Sequence, residues 1–141
     1  MTLLVVIVLV GVVGRGGWEG HAQIAVAMIG TLVLLGGLLL AAMALTGLGS
    51  ALTAMPAPLT GQTLRTDGVY AVVRHPIYGG LILMALGFSL QTTPWALVPT
   101  AVLAVVLDLK RRVEEDFLAA TYRRYPAYRK AVPKSLVPYV W

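Results

Sequence analysis

The stretch Gly68-Val69-Tyr70-Ala71-Val72-Val73-Arg74-His75-Pro76-Ile77-Tyr78-Gly79-Gly80 joins a polar cluster to the start of an apolar run. It brings one arginine, one histidine and two tyrosines together in a chain that is otherwise mostly apolar. Polar side chains are costly at membrane depth, so a cluster of them there is a candidate functional site by default. A second cluster, Lys110-Arg111-Arg112-Val113-Glu114-Glu115, follows one apolar hairpin later. Together the two clusters predict a site at the boundary between membrane and cytosol.

The composition is that of an integral membrane protein. Of the 141 residues, 58% are hydrophobic and 12% are charged, against about 25% charged residues in a soluble domain. The mean hydropathy is +0.82, and the length predicts a single domain over residues 1–141. The absence of cysteine excludes disulfides and thiolate chemistry. Two separated histidines, His21 and His75, are too few for a histidine zinc site, so neither a metal nor a nucleic-acid partner is expected.

Four apolar runs predict an all-α polytopic membrane protein with spans at about 1–18, 22–46, 76–91 and 94–109. The second run is uncharged and long enough for a hydrocarbon core, which needs roughly 20 residues. The first run also allows a signal peptide, although no basic segment precedes it. Pro76 suits the first position of a helix, and Gly30, Gly36 and Gly37 are candidates for close helix packing.

The placement of basic residues predicts the orientation. Arg15 is the only lysine or arginine between the first two spans, whereas ten others follow the second span. The positive-inside rule then puts segment 47–75 and the C-terminal helical tail in the cytosol, together with both polar clusters. Contact with anionic lipid accounts for most of the basic residues. It does not account for His75, Tyr78 or the paired Glu114 and Glu115.

The paired glutamates allow two interpretations. At helical spacing they pair with the basic residues before them, which stabilises a helix only slightly. Alternatively, a carboxylate holds a cationic ligand or a ribose while a nearby arginine holds an anion. Tyr70 and Tyr78 would then offer aromatic faces to a sulfonium or an adenine. His75 makes a structural hydrogen bond, contacts a ligand or acts as a base.

The segment from Leu64 to Tyr78 resembles the signature of the isoprenylcysteine carboxyl methyltransferase family, which belongs with the phospholipid methyltransferases to a wider group of small membrane methyltransferases. The family pattern is Gly-x-Tyr, Arg-His-Pro-x-Tyr, a helical hairpin, Glu-Glu-x-x-Leu and a Tyr-x-x-Tyr tail that ends in Val-Pro. This chain has the same order over residues 62–138, with Glu114-Glu115-Asp116-Phe117-Leu118, Tyr125-Pro126-Ala127-Tyr128 and Val132-Pro133 after the hairpin.

The resemblance implies a methyltransferase that takes S-adenosylmethionine (SAM) as methyl donor in a cytosol-facing pocket built from about residues 60–138. It implies that the donor is contacted by Gln62, Thr63, Leu64, Arg65, Tyr70, His75, Pro76, Ile77, Tyr78 and Glu114. It also implies that Lys110 and Arg111 face the substrate, with Arg111 and Glu115 as candidate catalytic residues. Tyr122-Arg123 replaces the Phe-Gly that often precedes the tail in this family, which leaves the substrate open.

The expected function is SAM-dependent methyl transfer to a lipidic acceptor. The preferred reaction is carboxyl methylation of an isoprenylcysteine-like substrate. N-methylation of a phospholipid amine is the alternative within the same group. A carboxylate acceptor needs no general base, whereas an amine acceptor must lose a proton. A non-enzymatic helical membrane protein, such as a transporter subunit or an assembly factor, explains the composition equally well but predicts no SAM binding.

Overall fold

The described part of the chain folds into helices. The computed structural model describes residues 2–14, 17–18, 22–48 and 64–138. The α-helices in these ranges are α1 (Thr2–Val13), α2 (Ala22–Leu48), α3 (Pro76–Thr92), α4 (Leu97–Thr121) and α5 (Tyr125–Ala131). Two short 3-10 helices, Gly68–Ala71 and Pro94–Ala96, precede α3 and α4. The described ranges contain no strand, and the prediction of an all-α protein is confirmed.

Helix lengths separate α2 from the other apolar helices. Within the described residues, one helix is long and apolar enough to cross a membrane, the part of α2 over Gln23–Leu48. The apolar helices α1 and α3 are shorter, with 12 and 17 residues. The start of α3 at Pro76 agrees with the prediction, because proline has no N–H to lose at the first helical position. Helix α1 ends at Val13 instead of reaching Trp18, since the glycines between them are poor helix formers.

Helix α4 departs most from the predicted hairpin. The span predicted at 94–109 starts with a 3-10 turn, and the helix then continues for three turns beyond Leu109, to Thr121. Lysine, arginine and glutamate are good helix formers. Ion pairs between side chains three and four residues apart stabilise this part of the helix further. The second polar cluster is therefore carried on a continuous helix.

The chain forms two compact units, whose boundaries fall within α2, α3 and α4. The first comprises Met1–Leu39 and Gly80–Val106, and the second comprises Leu40–Gly79 and Leu107–Trp141. In the first unit, the turn between α3 and α4 is held by a buried hydrogen bond of 2.8 Å between the hydroxyls of Ser89 and Thr100.

Close packing of α2 on α3 in the first unit depends on glycine. A Cβ atom at Gly30 would lie 2.8 Å from the carbonyl oxygen of Gly87, and one at Gly37 would lie 2.7 Å from that of Gly80. Both are closer than real Cβ contacts, so the two helix backbones touch where these glycines meet. A Cβ atom at Gly36 would have no neighbour within 4 Å among the described residues. The packing prediction is confirmed for Gly30 and Gly37 and wrong for Gly36.

The second unit contains every described residue of the predicted site. It combines the end of α2, the 3-10 helix Gly68–Ala71, the start of α3, the end of α4 and the C-terminal segment. Its buried apolar side chains are Leu40, Ala41, Ala44, Tyr70, Val73, Pro76, Leu107, Tyr125, Val132 and Leu136.

Candidate active site

A 3-10 helix presents Tyr70 to the interior of the second unit. Gly68 opens this helix at a φ of +58°, in the left-handed region that glycine adopts without a Cβ clash. The Tyr70 hydroxyl donates a hydrogen bond to the carbonyl of Ala44 at 3.3 Å. The Tyr70 carbonyl accepts one from the Tyr128 hydroxyl at 2.6 Å. Tyr70 is thus held from both α2 and α5.

The C-terminal segment after α5 is bonded to the backbone just before α3. The N–H groups of Arg74 and His75 donate to the carbonyls of Lys134 and Ser135, at 3.1 and 2.8 Å. The Arg74 guanidinium also donates, through Nη1, to the carbonyl of Val132. These bonds fix the backbone from which the His75 side chain projects.

The same segment presses against the first turn of α3 at Gly79. Leu136 is fully buried, and its carbonyl lies so close to Gly79 that a Cβ atom at this position has no room. Because the obstacle is backbone, it cannot move aside as a flexible side chain does. Glycine is therefore required at position 79 by close packing.

His75, Tyr78, Lys110 and Glu114 form one contiguous group, which we call the Glu114 cluster. The Tyr78 hydroxyl donates to Glu114 Oε1 at 2.5 Å, and Lys110 Nζ lies 3.6 Å from the same oxygen. His75 Nδ1 lies 3.7 Å from Glu114 Oε2. The rings of His75 and Tyr78 stack with 5.7 Å between centroids and 6° between planes. The cluster combines a carboxylate, two parallel rings and a lysine.

Behind this cluster lies a second group, the Glu115 network of Arg74, Asp108, Arg111, Glu115 and Arg129. Glu115 Oε1 accepts hydrogen bonds from Arg74 Nε at 3.0 Å and from Arg111 Nη1 at 3.1 Å. Its other oxygen lies 3.4 Å from Arg129 Nε. Only 2% of the Glu115 side chain is exposed, so these cations replace the water that it would otherwise bind.

The environment of Glu115 favours its ionised form. Burial by itself raises the pKa of Glu115, but its contacts with His75 and Arg74 outweigh burial and lower the pKa to about 2. His75 Nε2 lies 3.3 Å from Glu115 Oε1 without the alignment of a hydrogen bond. A carboxylate with so low a pKa is a poor proton acceptor at neutral pH.

The side chain of Arg111 is fully engaged within the network. Its Nε and Nη2 donate to Asp108 Oδ1 at 2.9 and 2.7 Å, while Nη1 donates to Glu115. The other oxygen of Asp108 accepts from Arg112 Nε at 2.8 Å. Arg111 is 8% exposed. All three guanidinium nitrogens thus point to carboxylates of α4 itself.

The other residues that were predicted to contact the methyl donor do not form one group. Gln62 and Thr63 lie outside the described residues. Arg65 is exposed and pairs with Asp67 at 2.9 Å. Together with Asp67 it lines a cavity of about 300 Å³, which also borders Met43, Thr46, Gly47, Gly68 and Val69. Leu64 and Ile77 are half-buried and Pro76 is buried, where it starts α3. Of the predicted donor residues, His75, Tyr78 and Glu114 are brought into direct contact.

Sequence reasoning did not single out Arg74 or Asp108 as individual site residues. Both are 8% exposed and each bonds to another member of the Glu115 network. The signal for Asp108 is its position in the sequence. It is a charged residue inside the apolar run that ends at Leu109, and it lies three residues before Arg111. Arg74 was visible only as part of the first polar cluster, because its partners lie 41 and 58 residues away along the chain.

Comparison with known proteins places these clusters in a family context. A profile described as phospholipid methyltransferase matches residues 25–125. The chain is 36% identical to protein-S-isoprenylcysteine O-methyltransferase of Schizosaccharomyces pombe over 78 residues, 52% of this chain and 32% of that protein. It is 34% identical to methanethiol S-methyltransferase 2 of Bradyrhizobium diazoefficiens over 80 residues, 57% of this chain and 30% of that protein.

A third relative carries a different name. The chain is 34% identical to Delta(14)-sterol reductase of Mus musculus over 86 residues, 58% of this chain and 21% of that protein. The chain thus spans about a fifth to a third of the length of these relatives.

Proposed function

The chain belongs to the phospholipid methyltransferase family, and we propose that it is a SAM-dependent membrane methyltransferase whose acceptor is lipidic. The match of the family profile over residues 25–125 carries this proposal, and the resemblance seen in the sequence is confirmed at the level of the family. As acceptor we propose first an isoprenylcysteine-like carboxylate, which is supported by the name of the S. pombe relative.

The chemistry of the Glu114 cluster supports SAM as the donor. A sulfonium cation is bound well by an aromatic face together with a carboxylate, and Tyr78 and Glu114 supply both within one hydrogen bond. We propose that His75, Tyr78 and Glu114 hold the donor, with Tyr70 and the residues at 62–65 and 76–77 completing its site. When bound, SAM supplies an electrophilic methyl group.

The Glu115 network supports a positioning role for Arg111 and Glu115. The Arg111 guanidinium donates its hydrogen bonds to Asp108 and Glu115. Both carboxylate oxygens of Glu115 contact arginines. We propose that these residues fix His75 and the end of α4 relative to one another. Lys110 then remains as the partly exposed basic residue of the Glu114 cluster, suited to an anionic acceptor group.

The electrostatics of the network make Glu115 unsuited to take a proton from an acceptor. Because the pKa of Glu115 is about 2, this carboxylate does not act as a base at neutral pH. A carboxylate acceptor is already nucleophilic, so positioning in a water-poor site is the main requirement for transfer. Phospholipid amines and thiols remain the competing acceptors, and a panel of all three separates them.

We propose a multi-pass topology of four spans, with the active site and the C-terminus in the cytosol and residues 1–141 acting as one membrane domain. The apolar helices α1 and α3, the long α2 and the ten-to-one distribution of basic residues support this arrangement. Both polar clusters would then lie on the side where cytosolic SAM is available.

The proposal is tested by titrating purified protein in lipid nanodiscs with S-adenosylhomocysteine (SAH), by calorimetry. Wild-type protein is expected to bind SAH. Glu114→Gln, titrated in the same way with SAM, is expected to weaken binding of this sulfonium by more than about tenfold, and a tenfold change equals about 1.4 kcal/mol. Asp116→Asn, a change of an exposed carboxylate two residues away, is the matched control and should bind as wild type. Failure of wild-type protein to bind SAH would overturn the proposed function.

Transfer itself is measured with radiolabelled SAM and three acceptors, a prenylcysteine, a phosphatidylethanolamine and a small thiol. Labelling of the prenylcysteine alone supports the proposed acceptor. Labelling of the amine or thiol instead keeps the methyltransferase and replaces its substrate.

A further inference from the structure

Lys110 places its own ammonium group in the environment that suits a cationic ligand. Its Nζ lies 5.2 Å from the centre of the Tyr78 ring and 3.6 Å from Glu114 Oε1. An aromatic face and a carboxylate are the two features that proteins combine to bind sulfonium and quaternary ammonium groups. The part of the site suited to a positive ligand therefore already holds a positive charge that belongs to the chain.

The partners of Lys110 are better fixed than Lys110 is. Tyr78 is tied to Glu114 by a hydrogen bond and stacked on His75. The Glu114 side chain is 15% exposed, whereas 42% of the Lys110 side chain is exposed. A lysine has a flexible four-carbon stem, so Lys110 can swing towards solvent while the ring and the carboxylate stay in place.

We propose that Lys110 is a resident cation of the donor site, and that it moves off the Tyr78 ring but stays beside Glu114 when a sulfonium binds there. This inference rests on the proposed function, because it takes SAM as the ligand of the Glu114 cluster. Its role is one of ligand discrimination, since its ammonium group would then lie next to the sulfonium and like charges repel each other. Lys110 thereby weakens the binding of a positively charged donor more than that of a neutral thioether.

Discrimination by charge has a defined consequence for the two forms of the cofactor. SAM carries its positive charge on sulfur, and SAH has the same adenosine and amino-acid parts with a neutral sulfur. Interactions of Lys110 with those common parts contribute equally to both ligands and cancel in the ratio of their affinities. The ratio of the two dissociation constants therefore isolates the repulsion between Lys110 and the sulfonium.

The test measures both dissociation constants by calorimetry for wild-type protein and for three variants in the same nanodiscs. Lys110→Met removes the charge and keeps the length of the side chain, and we expect it to improve SAM affinity relative to SAH by about tenfold. Lys110→Arg keeps a cation over the ring and should preserve the wild-type ratio. Lys130→Met removes an exposed lysine on α5 and controls for the change in net charge.

The outcomes separate the two proposals. A ratio in Lys110→Met that equals the wild-type ratio, with both ligands still bound, overturns the role of Lys110 and leaves the proposed function intact. The same shift in Lys130→Met would also overturn it, because the effect would then come from net charge. Failure of wild-type protein to bind either ligand overturns the proposed function and this inference with it. Lys110→Gln repeats the measurement with a polar neutral side chain.

Discussion

Arg74 bridges α4 and the C-terminal segment through Glu115. Its Nε donates to Glu115 Oε1 at 3.0 Å, and its Nη1 donates to the Val132 carbonyl. Both charged side chains are buried, with 6% of Arg74 and 2% of Glu115 exposed. A buried ion pair adds little stability when compared with an apolar pair, but removing one partner leaves the other charge buried and uncompensated.

The first prediction follows from this asymmetry. Arg74→Gln should lower the free energy of unfolding by about 3–5 kcal/mol, because Glu115 and the Val132 carbonyl both lose a donor. Arg129→Gln is the matched control, since Arg129 contacts the same carboxylate at 3.4 Å but is 56% exposed, and it should cost at most about 1 kcal/mol. Denaturant titration in micelles measures both. Equal losses would show that burial of Arg74 is not decisive.

A second prediction concerns acid. The pKa of Glu115 is about 2 in the folded protein, below its ordinary 4.5, so ionised Glu115 stabilises the fold fully above pH 4.5. This stabilisation is lost as the pH falls from 4.5 towards 2, because the unfolded chain takes up the proton first. The difference in melting temperature between wild-type protein and Glu115→Gln should therefore shrink across that window.

The control for the acid experiment is Asp67→Asn, a change of a carboxylate that is 68% exposed. Its melting temperature should stay close to that of wild-type protein at every pH. A gap between wild-type and Glu115→Gln that is the same at pH 7 and pH 2.5 would contradict the lowered pKa.

The sequence predicts features that depend on one residue's own chemistry. Pro76 starts α3 because its missing N–H makes that position favourable. A shared site for Tyr78 and Glu114 was predicted less directly, through the resemblance to a family. The roles of Arg74 and Asp108 could not be predicted from the chemistry of the residues themselves, because both roles depend on burial and on partners that the fold brings close. Gly36 shows the opposite error, since its spacing suits packing but no residue in the described part of the chain would contact its Cβ.

A third prediction tests the close packing at the start of α3. Gly79→Ala should destabilise the protein by about 1–3 kcal/mol, because the new Cβ collides with the Leu136 carbonyl and the backbone has to shift. Gly36→Ala, in open space within α2, should be neutral or gain up to about 1 kcal/mol from helix propensity. Unfolding in micelles compares them, and equal effects would mean that the C-terminal segment does not press on Gly79.

A fourth prediction compares two tyrosines of α5 that differ in their hydroxyl contacts. Tyr125 is 1% exposed, and among the described residues its hydroxyl has no hydrogen-bond partner. The Tyr128 hydroxyl donates to the Tyr70 carbonyl at 2.6 Å. Tyr125→Phe should therefore be neutral or stabilising, whereas Tyr128→Phe should cost about 1–3 kcal/mol by leaving the carbonyl unpaired. Loss of stability in Tyr125→Phe alone would reveal a partner for its hydroxyl.

The last prediction concerns topology, and the absence of cysteine makes it direct to test. Single cysteines are introduced at Gly17 and Lys130, both exposed positions, and labelled with a membrane-impermeant maleimide. Ser135 is unsuitable because it is 6% exposed. Four spans put three crossings between residues 17 and 130, so the two cysteines should react from opposite faces, with residue 130 in the cytosol as the basic residues require.

A third cysteine at the exposed Thr2 tests whether α1 crosses. With four spans it should react from the same face as residue 130, because an even number of crossings separates them. Reaction of residues 17 and 130 from one face would remove one crossing among α2, α3 and α4. We would then infer that α3 does not cross the membrane, because its 17 residues are the fewest of the three and about 20 are needed for a hydrocarbon core.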